Sequence, residues 1–306
     1  MISSLEQVNR LAKEKGPKKL AVLAPEDSVF MLAVKKSRDA GYIEPILIGD
    51  REKMKKVADE VEFDISAVEQ IPEIDRQAVA NLGTAMLFSG DVDMESKGQI
   101  PTSYIYRSII KEESRAGTGR TISVISLWDI PELNRFTSFT DTGVNIHPDH
   151  KAKAAVINNA VFLFHTLGYP KPRISVLSGQ RKFGGTLPSY EDGKLLKEMA
   201  AAGEFGECEI VEATSFAEFF LDRGRRLKSY QDIDLSNLPE ILLVPSLDTG
   251  NILCKLDFFL DVNRRSLVMT SKGPALIPSR SDFCDSIMGE IAMGVVVANR
   301  LQEGVN

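Results

Sequence analysis

Cysteine is nearly missing from this chain: the three present, Cys208, Cys254 and Cys284, are odd in number, far apart and outside any zinc-ligand spacing, which excludes a disulfide framework and a zinc site. Histidine is as scarce, with three. Two of them, His147 and His150, stand near Asp141 and Asp149 in TDTGVNIHPDH, but no third ligand follows at a recognised spacing, so Pro148 and Asp149 read as the start of a helix and no metal site is expected. His165, in HTLGYP, reads as a residue near a helix C-terminus. No apolar run approaches the roughly 20 residues a membrane helix needs. The amino-terminal stretch has helical apolar spacing at Ile2, Leu5, Val8 and Leu11 without a continuous apolar segment before a cleavage site, so export is not expected and a reducing cytoplasm is. Positive charge is not in surplus either. The net charge of −6 excludes a general attraction for nucleic acid, and local cations then need local reasons.

What is present is ordinary in amount and regular in order. With 43% hydrophobic and 26% charged residues over 306 positions, the chain is long enough for two domains. Short apolar or β-branched runs alternate with amphipathic helical segments, the pattern of parallel sheets covered by helices. Strands are predicted at 19–25, 45–50, 84–90, 121–130, 173–179, 240–246 and 265–271. Helices are predicted over PEDSVFMLAVKKSRDAGY, with Val29, Ala33 and Val34 on one face and Gly41 as its stop, and near 51–60, 102–113, 149–167, 189–202, 214–225, 250–261 and 282–300. The character breaks after Trp128, where DIPELNRFTSFTDTGVNIHPDHK is polar and turn-rich. The last strand and helix are too small to stand alone. The expected division is therefore a first α/β domain from 1–138 plus 272–306 and a second from 139–271.

In open parallel sheets, ligands settle beyond the carboxyl ends of the strands. The segments at those places are SGDVD (89–93), SGQRKFGGTLPS (178–189), PSLDTGN (245–251) and PSRSD (278–282). Each offers small residues with open amides and hydroxyls, and two add cations, which suits oxyanions at helix N-termini. None is a phosphate loop of the Walker kind or a dinucleotide fingerprint. Ser279 and Asp282 match a capping box for a helix with Phe283, Ile287, Ile291 and Val295 as its buried stripe, but Arg280 beside a helix N-terminus invites an anion between the two positive features. In PSLDTGNILCK, Asp248 or Thr249 serves as a cap and Gly250 as a residue of unusual backbone angle, or the turn faces a ligand, with Lys255 four residues past Asn251 on the same side. Arg181 and Lys182 form either a solvated loop or a phosphate contact.

Taken in order, KLAVLAPEDSVFMLAVKKSRDAGYIEPILIGD, GRTISVISLWDIP, TDTGVNIHPDHKAKAAVINNAV, ILLVPSLDTGNILCK and IPSRSD resemble the phosphate acyltransferases, the phosphate acetyl- and butyryltransferases, over nearly the whole chain. KFGGTLPSYEDGKLL is closer to the butyryl branch. The resemblance implies two α/β domains of the isocitrate/isopropylmalate dehydrogenase-like type with a cleft between them, and a homodimer or larger assembly. It also implies reversible transfer of a short acyl group between coenzyme A and phosphate, with coenzyme A as substrate, no resident cofactor, no metal, no nucleic acid and no membrane partner. It places the family's serine–arginine pair on Ser279 and Arg280, a loop motif on Thr140, Asp141, Asn145 and Pro148, and a turn on Pro245, Gly250, Asn251 and Lys255. Where acetyl-type members have a carboxylate thought to deprotonate coenzyme A, this chain has Ser286, with Asp285 one position earlier. Where they have an arginine at a helix start, it has Tyr104, with Arg107 nearly a turn later.

The expected roles are Arg280 with Lys255 or Arg107 on phosphate, Ser279 on the tetrahedral oxyanion or the sulfur, and Asp285 or Asp282 as base. Asp141, Asn145, Lys182, Gly250 and Asn251 join them around the substrate. Direct transfer without an acyl-enzyme is expected, since no cysteine sits at a strand exit. The alternatives are a coenzyme A- or acyl-phosphate-binding protein that has lost its base, and a hydroxy-acid dehydrogenase of the same architecture.

Overall fold

An aspartate placed just after a strand is a helix start, because its carboxylate accepts the orphan N–H groups of the first turn. The chain repeats this device. Strand β1 (Lys18–Leu23) leads to Asp27, which accepts from the Phe30 N–H at 2.8 Å and opens helix α2 (Ser28–Asp39). Strand β2 (Ile43–Gly49) leads to Asp50 and α3 (Arg51–Glu60), and β3 (Glu69–Pro72) to Asp75 and α4 (Arg76–Ser89). The computed structural model describes residues 1–179, 187–211, 215, 219, 235–260 and 262–304. The chain divides into unit 1, Met1–Ser4 with Ser123–Arg264, and unit 2, Leu5–Ile122 with Arg265–Asn306.

Unit 2 adds helix α1 (Leu5–Lys15), strand β4 (Met94–Lys97) and helix α5 (Thr102–Arg115). After the excursion into unit 1 it takes up β10 (Asn263–Met269), β11 (Pro274–Leu276) and α9 (Cys284–Gln302). Its strands run in the order β3-β2-β1-β4-β11-β10, all parallel except the β10–β11 pair. The buried lengths of β1, β2 and β4 need cover on both faces. Helix α9 lies against β4 and β11 with α1 and α2 packed on it, and α4 crosses β1, β2 and β4 with α5 behind it.

Unit 1 is mixed α/β and contains β5 (Val124–Asp129), β6 (Thr137–Thr140), α6 (His150–Thr166), β7 (Arg173–Val176), α7 (Pro188–Ala201), β8 (Glu209–Ile210), β9 (Ile241–Leu243) and α8 (Leu247–Cys254). The strand order is β5-β6-β9-β7-β8, with only the β5–β6 pair antiparallel. Trp128 and Phe139 meet edge to face at 5.1 Å between ring centres, and with Leu177, Leu242, Val244 and Cys254 they belong to one core cluster. As expected, Asp149 opens α6, accepting from the Ala152 N–H at 2.8 Å, and His165 lies in that helix's last turn, bonded to the Glu207 carbonyl at 2.8 Å. No helix among the described residues is long and apolar enough to cross a membrane.

Four expectations need correction. The run TAMLFSG is the second half of α4 rather than a strand: Val79, Ala80, Gly83, Thr84 and Leu87 make its buried face, and Gly90, at φ 83°, ends it. The strand in that region is β4, whose MESK sequence hides it because the ionisable side chains of Glu95 and Lys97 are buried. Strand β6 lies in the stretch whose polar composition predicts a turn, because it is written Thr-Ser-Phe-Thr. Its hydroxyls are satisfied inside: Thr137 donates to the Pro239 carbonyl, Ser138 to that of Glu240 and Thr140 to that of Val124. Val29 and Phe283, placed on buried helix faces by spacing, are 45% and 74% exposed. The helix expected near 214–225 falls almost wholly outside the described residues.

Candidate active site

Strands β1, β4 and β11 are mutually parallel, so their carboxyl ends share one edge of the unit 2 sheet. There the chain closes tightly. The Gly98 N–H donates to the Leu23 carbonyl at 2.7 Å and the Gln99 N–H to the Ala24 carbonyl at 2.8 Å. A Cβ on Gly98 would lie 2.4 Å from the Ala24 oxygen, so only glycine permits this approach. Beyond that edge lies a cavity of about 280 Å³, walled by Asp27 and Phe30 at the start of α2, Lys97 at the end of β4 and Gln99 just past it, and the Pro278–Asp282 segment before α9. A larger cavity of about 400 Å³ lies where β1, β2 and β3 begin, lined by Lys19, Arg38 and Glu44, with neither strand exits nor a helix start in its lining.

The cavity gathers Ser279, Arg280 and Asp282 from the sequence expectations. Ser279 and Asp282 do pair, through the Ser279 N–H to Asp282 Oδ2 at 2.7 Å and the Asp282 N–H to the Ser279 carbonyl at 3.1 Å. They do not cap the helix as a capping box. Helix α9 starts at Cys284, with Phe283 as its N-cap and no side-chain cap bond, so the Ser279–Asp282 pair closes its own turn and presents the Arg280 side chain to solvent. Ser279 Oγ lies 2.9 Å from Ser281 Oγ. Asp285 is not at the cavity: its side chain is 88% exposed and 3.4 Å from Lys36 Nζ. Arg107 is not among the lining residues. It is exposed, donates to Gln77 Oε1 at 3.0 Å and stands 5.6 Å from the Tyr104 ring centre.

Sequence reasoning missed Lys97. It is only 4% exposed, and its one described hydrogen bond is a long contact of 3.5 Å to the adjacent Gly98 carbonyl. Burial lowers its pKa, and the nearby Arg280 guanidinium lowers it further, against the opposing pull of Glu290, Asp282 and Asp27. The signal that points to it is the Lys-Gly step at a strand exit, legible only once β4 is recognised. Two positions earlier, Glu95 is fully buried with Thr84 Oγ1 at 3.2 and 3.1 Å from its two oxygens, and burial pushes its carboxyl up to about 8.

In unit 1 the exits of β6 and β9 share an edge in the same way. Asp141 organises the loop that follows β6. Its Oδ1 accepts from the N–H groups of Val124, Gly143 and Val144 at 2.9, 2.9 and 3.2 Å, and its Oδ2 from the N–H and side-chain amide of Asn145 at 2.7 and 2.6 Å. The cap of α8 is Ser246, not Asp248 or Thr249. Gly250 is helical, and its reason is proximity: a Cβ there would lie 2.6 Å from the Asp141 carbonyl oxygen. Asn251 donates to the Thr142 carbonyl at 3.4 Å, and Lys255 is the C-cap of α8, where its charge suits the helix dipole. Lys182, with Arg181, lies outside the described residues. The expected anion segment 89–93 is a helix end, with Asp93 bonded to the Lys19 N–H at 2.7 Å and to Gln302 Nε2 at 2.6 Å.

The chain is 25% identical to a phosphate butyryltransferase of Clostridium acetobutylicum, covering 97% of this chain and 99% of that protein, and 25% identical to a phosphate acetyltransferase of Rhizobium meliloti, covering 97% and 94%. Its fold is similar to that of a branched-chain phosphotransacylase from Enterococcus faecalis, with a TM-score of 0.73 at 20% identity, covering 92% of this chain and 99% of the other. The model of the family described as phosphate acetyl/butaryl transferase matches residues 66–294, three quarters of the chain, and the chain belongs to that family.

Proposed function

We propose that this protein catalyses reversible transfer of a short acyl group between coenzyme A and inorganic phosphate, and that the cavity at the β1, β4 and β11 exits is where the phosphate is held. The observation that carries this reading is the juxtaposition of Arg280, Ser279 and the buried Lys97 around one cavity in a chain of this family. In the forward direction a phosphate oxygen attacks the thioester carbonyl carbon, the tetrahedral oxyanion collapses, the C–S bond breaks and coenzyme A leaves. Little covalent help is needed from the protein. Holding the partners in line and stabilising the oxyanion supplies most of the acceleration.

In this reading Arg280 grips the phosphate with its planar fork, and Ser279 donates its hydroxyl to the oxyanion or the sulfur. Asp282, at the cavity, keeps the turn closed and is the carboxylate preferred over Asp285, which is turned to solvent and paired with Lys36. Arg107, Asn145, Asn251 and Lys255 stay substrate-binding candidates, each to be tested by substitution. The isocitrate dehydrogenase-like description of the fold, a homodimer and a cytoplasmic setting belong to the same reading. The exposure of Asp285 also favours a second reading, a binding protein without turnover, and the same assay decides between them.

Arg280→Ala is expected to lower kcat/KM for phosphate by about 10²-fold or more, with Arg280→Lys in between because a lysine keeps the charge but loses the fork. Steady-state kinetics with butyryl-CoA and varied phosphate measure this. Unchanged phosphate kinetics in Arg280→Ala would remove Arg280 from the site.

A further inference from the structure

We propose that Lys97 is the acid–base residue of this cavity, giving a proton to the departing coenzyme A thiolate and taking one from the coenzyme A thiol in the reverse direction. The inference rests on the acyltransferase reading above and supplies what that reading lacks, a group able to manage the sulfur's proton. The carboxylates nearby are poorly suited. Asp285 is exposed and ion-paired with Lys36. Asp27 is engaged at both oxygens, by the Phe30 N–H at 2.8 Å and by Gln99 Nε2 at 2.6 Å, and Asp282 receives the Ser279 N–H at 2.7 Å. Ser286 has no ionisable proton near neutrality.

Lys97 has the opposite profile. It lines the cavity, is almost wholly buried, and its one described contact is weak for an ammonium with three protons to place. The charged groups facing it are Arg280 and Asp282 from the segment before α9, Glu290 from α9 and Asp27 from the start of α2. Burial and Arg280 disfavour its charged form and hold its pKa below the ordinary lysine value, so the ammonium gives up a proton more readily than an exposed lysine does. A lowered lysine pKa favours proton exchange with a thiol placed in the same cavity. In the forward step the oxygen of hydrogen phosphate forms a bond to the acyl carbon, the C–S bond breaks with its electron pair on sulfur, and the Lys97 ammonium protonates that sulfur. The neutral amine then recovers a proton from the acyl hydrogen phosphate, so the single proton of the incoming phosphate ends on coenzyme A.

The test is chemical rescue. Lys97→Ala is expected to lower kcat for phosphate-dependent thiol release by about 10²-fold or more. Methylammonium, which can transfer a proton, is expected to restore at least about tenfold of that, while guanidinium, a cation that holds its proton, is not. The native protein is expected to show a fall in kcat at high pH as the ammonium is lost, and Lys97→Met, which keeps the packing, is expected to lack that fall. Guanidinium rescue equal to methylammonium would make Lys97 a charge clamp and overturn the proposal, as would a Lys97→Ala rate within about twofold of the native one. A native protein that releases no thiol with phosphate ends the transferase reading itself, whereas native turnover indifferent to Lys97 ends only this assignment.

Discussion

Asp141 illustrates how a carboxylate that resembles a ligand-binding group is used up by its own chain. Five N–H donors converge on its two oxygens, so its first role is to fold the loop that carries Asn145. Asp141→Asn puts an amide donor among donors and removes the charge that strengthens those bonds. The expected loss is about 2–4 kcal/mol of stability, read from urea unfolding. Glu95 makes the converse case, a buried acid that keeps its proton. An unfolded chain releases that proton near its ordinary value while the folded protein holds it to about 8, so the folded state loses stability as pH rises from about 4.5 to about 8 and levels off above that. Glu95→Gln removes the titration and keeps an acceptor for Thr84. Its stability relative to the native chain is expected to improve by at least about 1 kcal/mol between pH 5 and pH 8, again by urea unfolding, and a difference independent of pH would contradict the assignment.

At the scale of elements, the site depends on how closely strand ends approach. Gly98→Ala forces a methyl to 2.4 Å from a backbone oxygen that cannot yield cheaply, so the β4 exit must shift. The expected result is a loss of about 1–3 kcal/mol of stability together with weaker phosphate binding, seen in the unfolding midpoint and in KM for phosphate. The elements differ in how well they announce themselves. Strands β1, β2, β5, β7, β9 and β10 are written in apolar residues, and α2, α3 and α6 carry an aspartate at the cap, so period and punctuation suffice for them. Strands β4 and β6 are not legible in that way, because their polar side chains are buried and those of Glu95, Thr137 and Ser138 meet partners that a local pattern does not contain. The apolar run of α4 resembles a strand only while the capping Asp75 is overlooked. The same blind spot hid Lys97, whereas Ser279 and Arg280 were visible because they follow a plainly apolar strand. What spacing could not decide was function within the Ser279–Asp282 turn, since a turn that closes on itself and a helix cap share one sequence signature.

At the scale of the whole chain, an excess of negative charge coexists with two cations, Lys97 and Arg280, lining one cavity. In the proposed reading the affinity for phosphate is expected to weaken as ionic strength rises from about 0.05 to 0.5 M, measurable as a rising KM, because screening acts on the exposed Arg280. The central claim is the use of phosphate as acyl acceptor, and thiol release from acetyl-CoA and butyryl-CoA with and without phosphate tests it most directly, with the acyl phosphate product followed by phosphorus NMR. Free coenzyme A and acyl phosphate rising together, in equal amounts and only when phosphate is present, is the predicted result. Release that proceeds equally without phosphate, or none with either thioester, would contradict it.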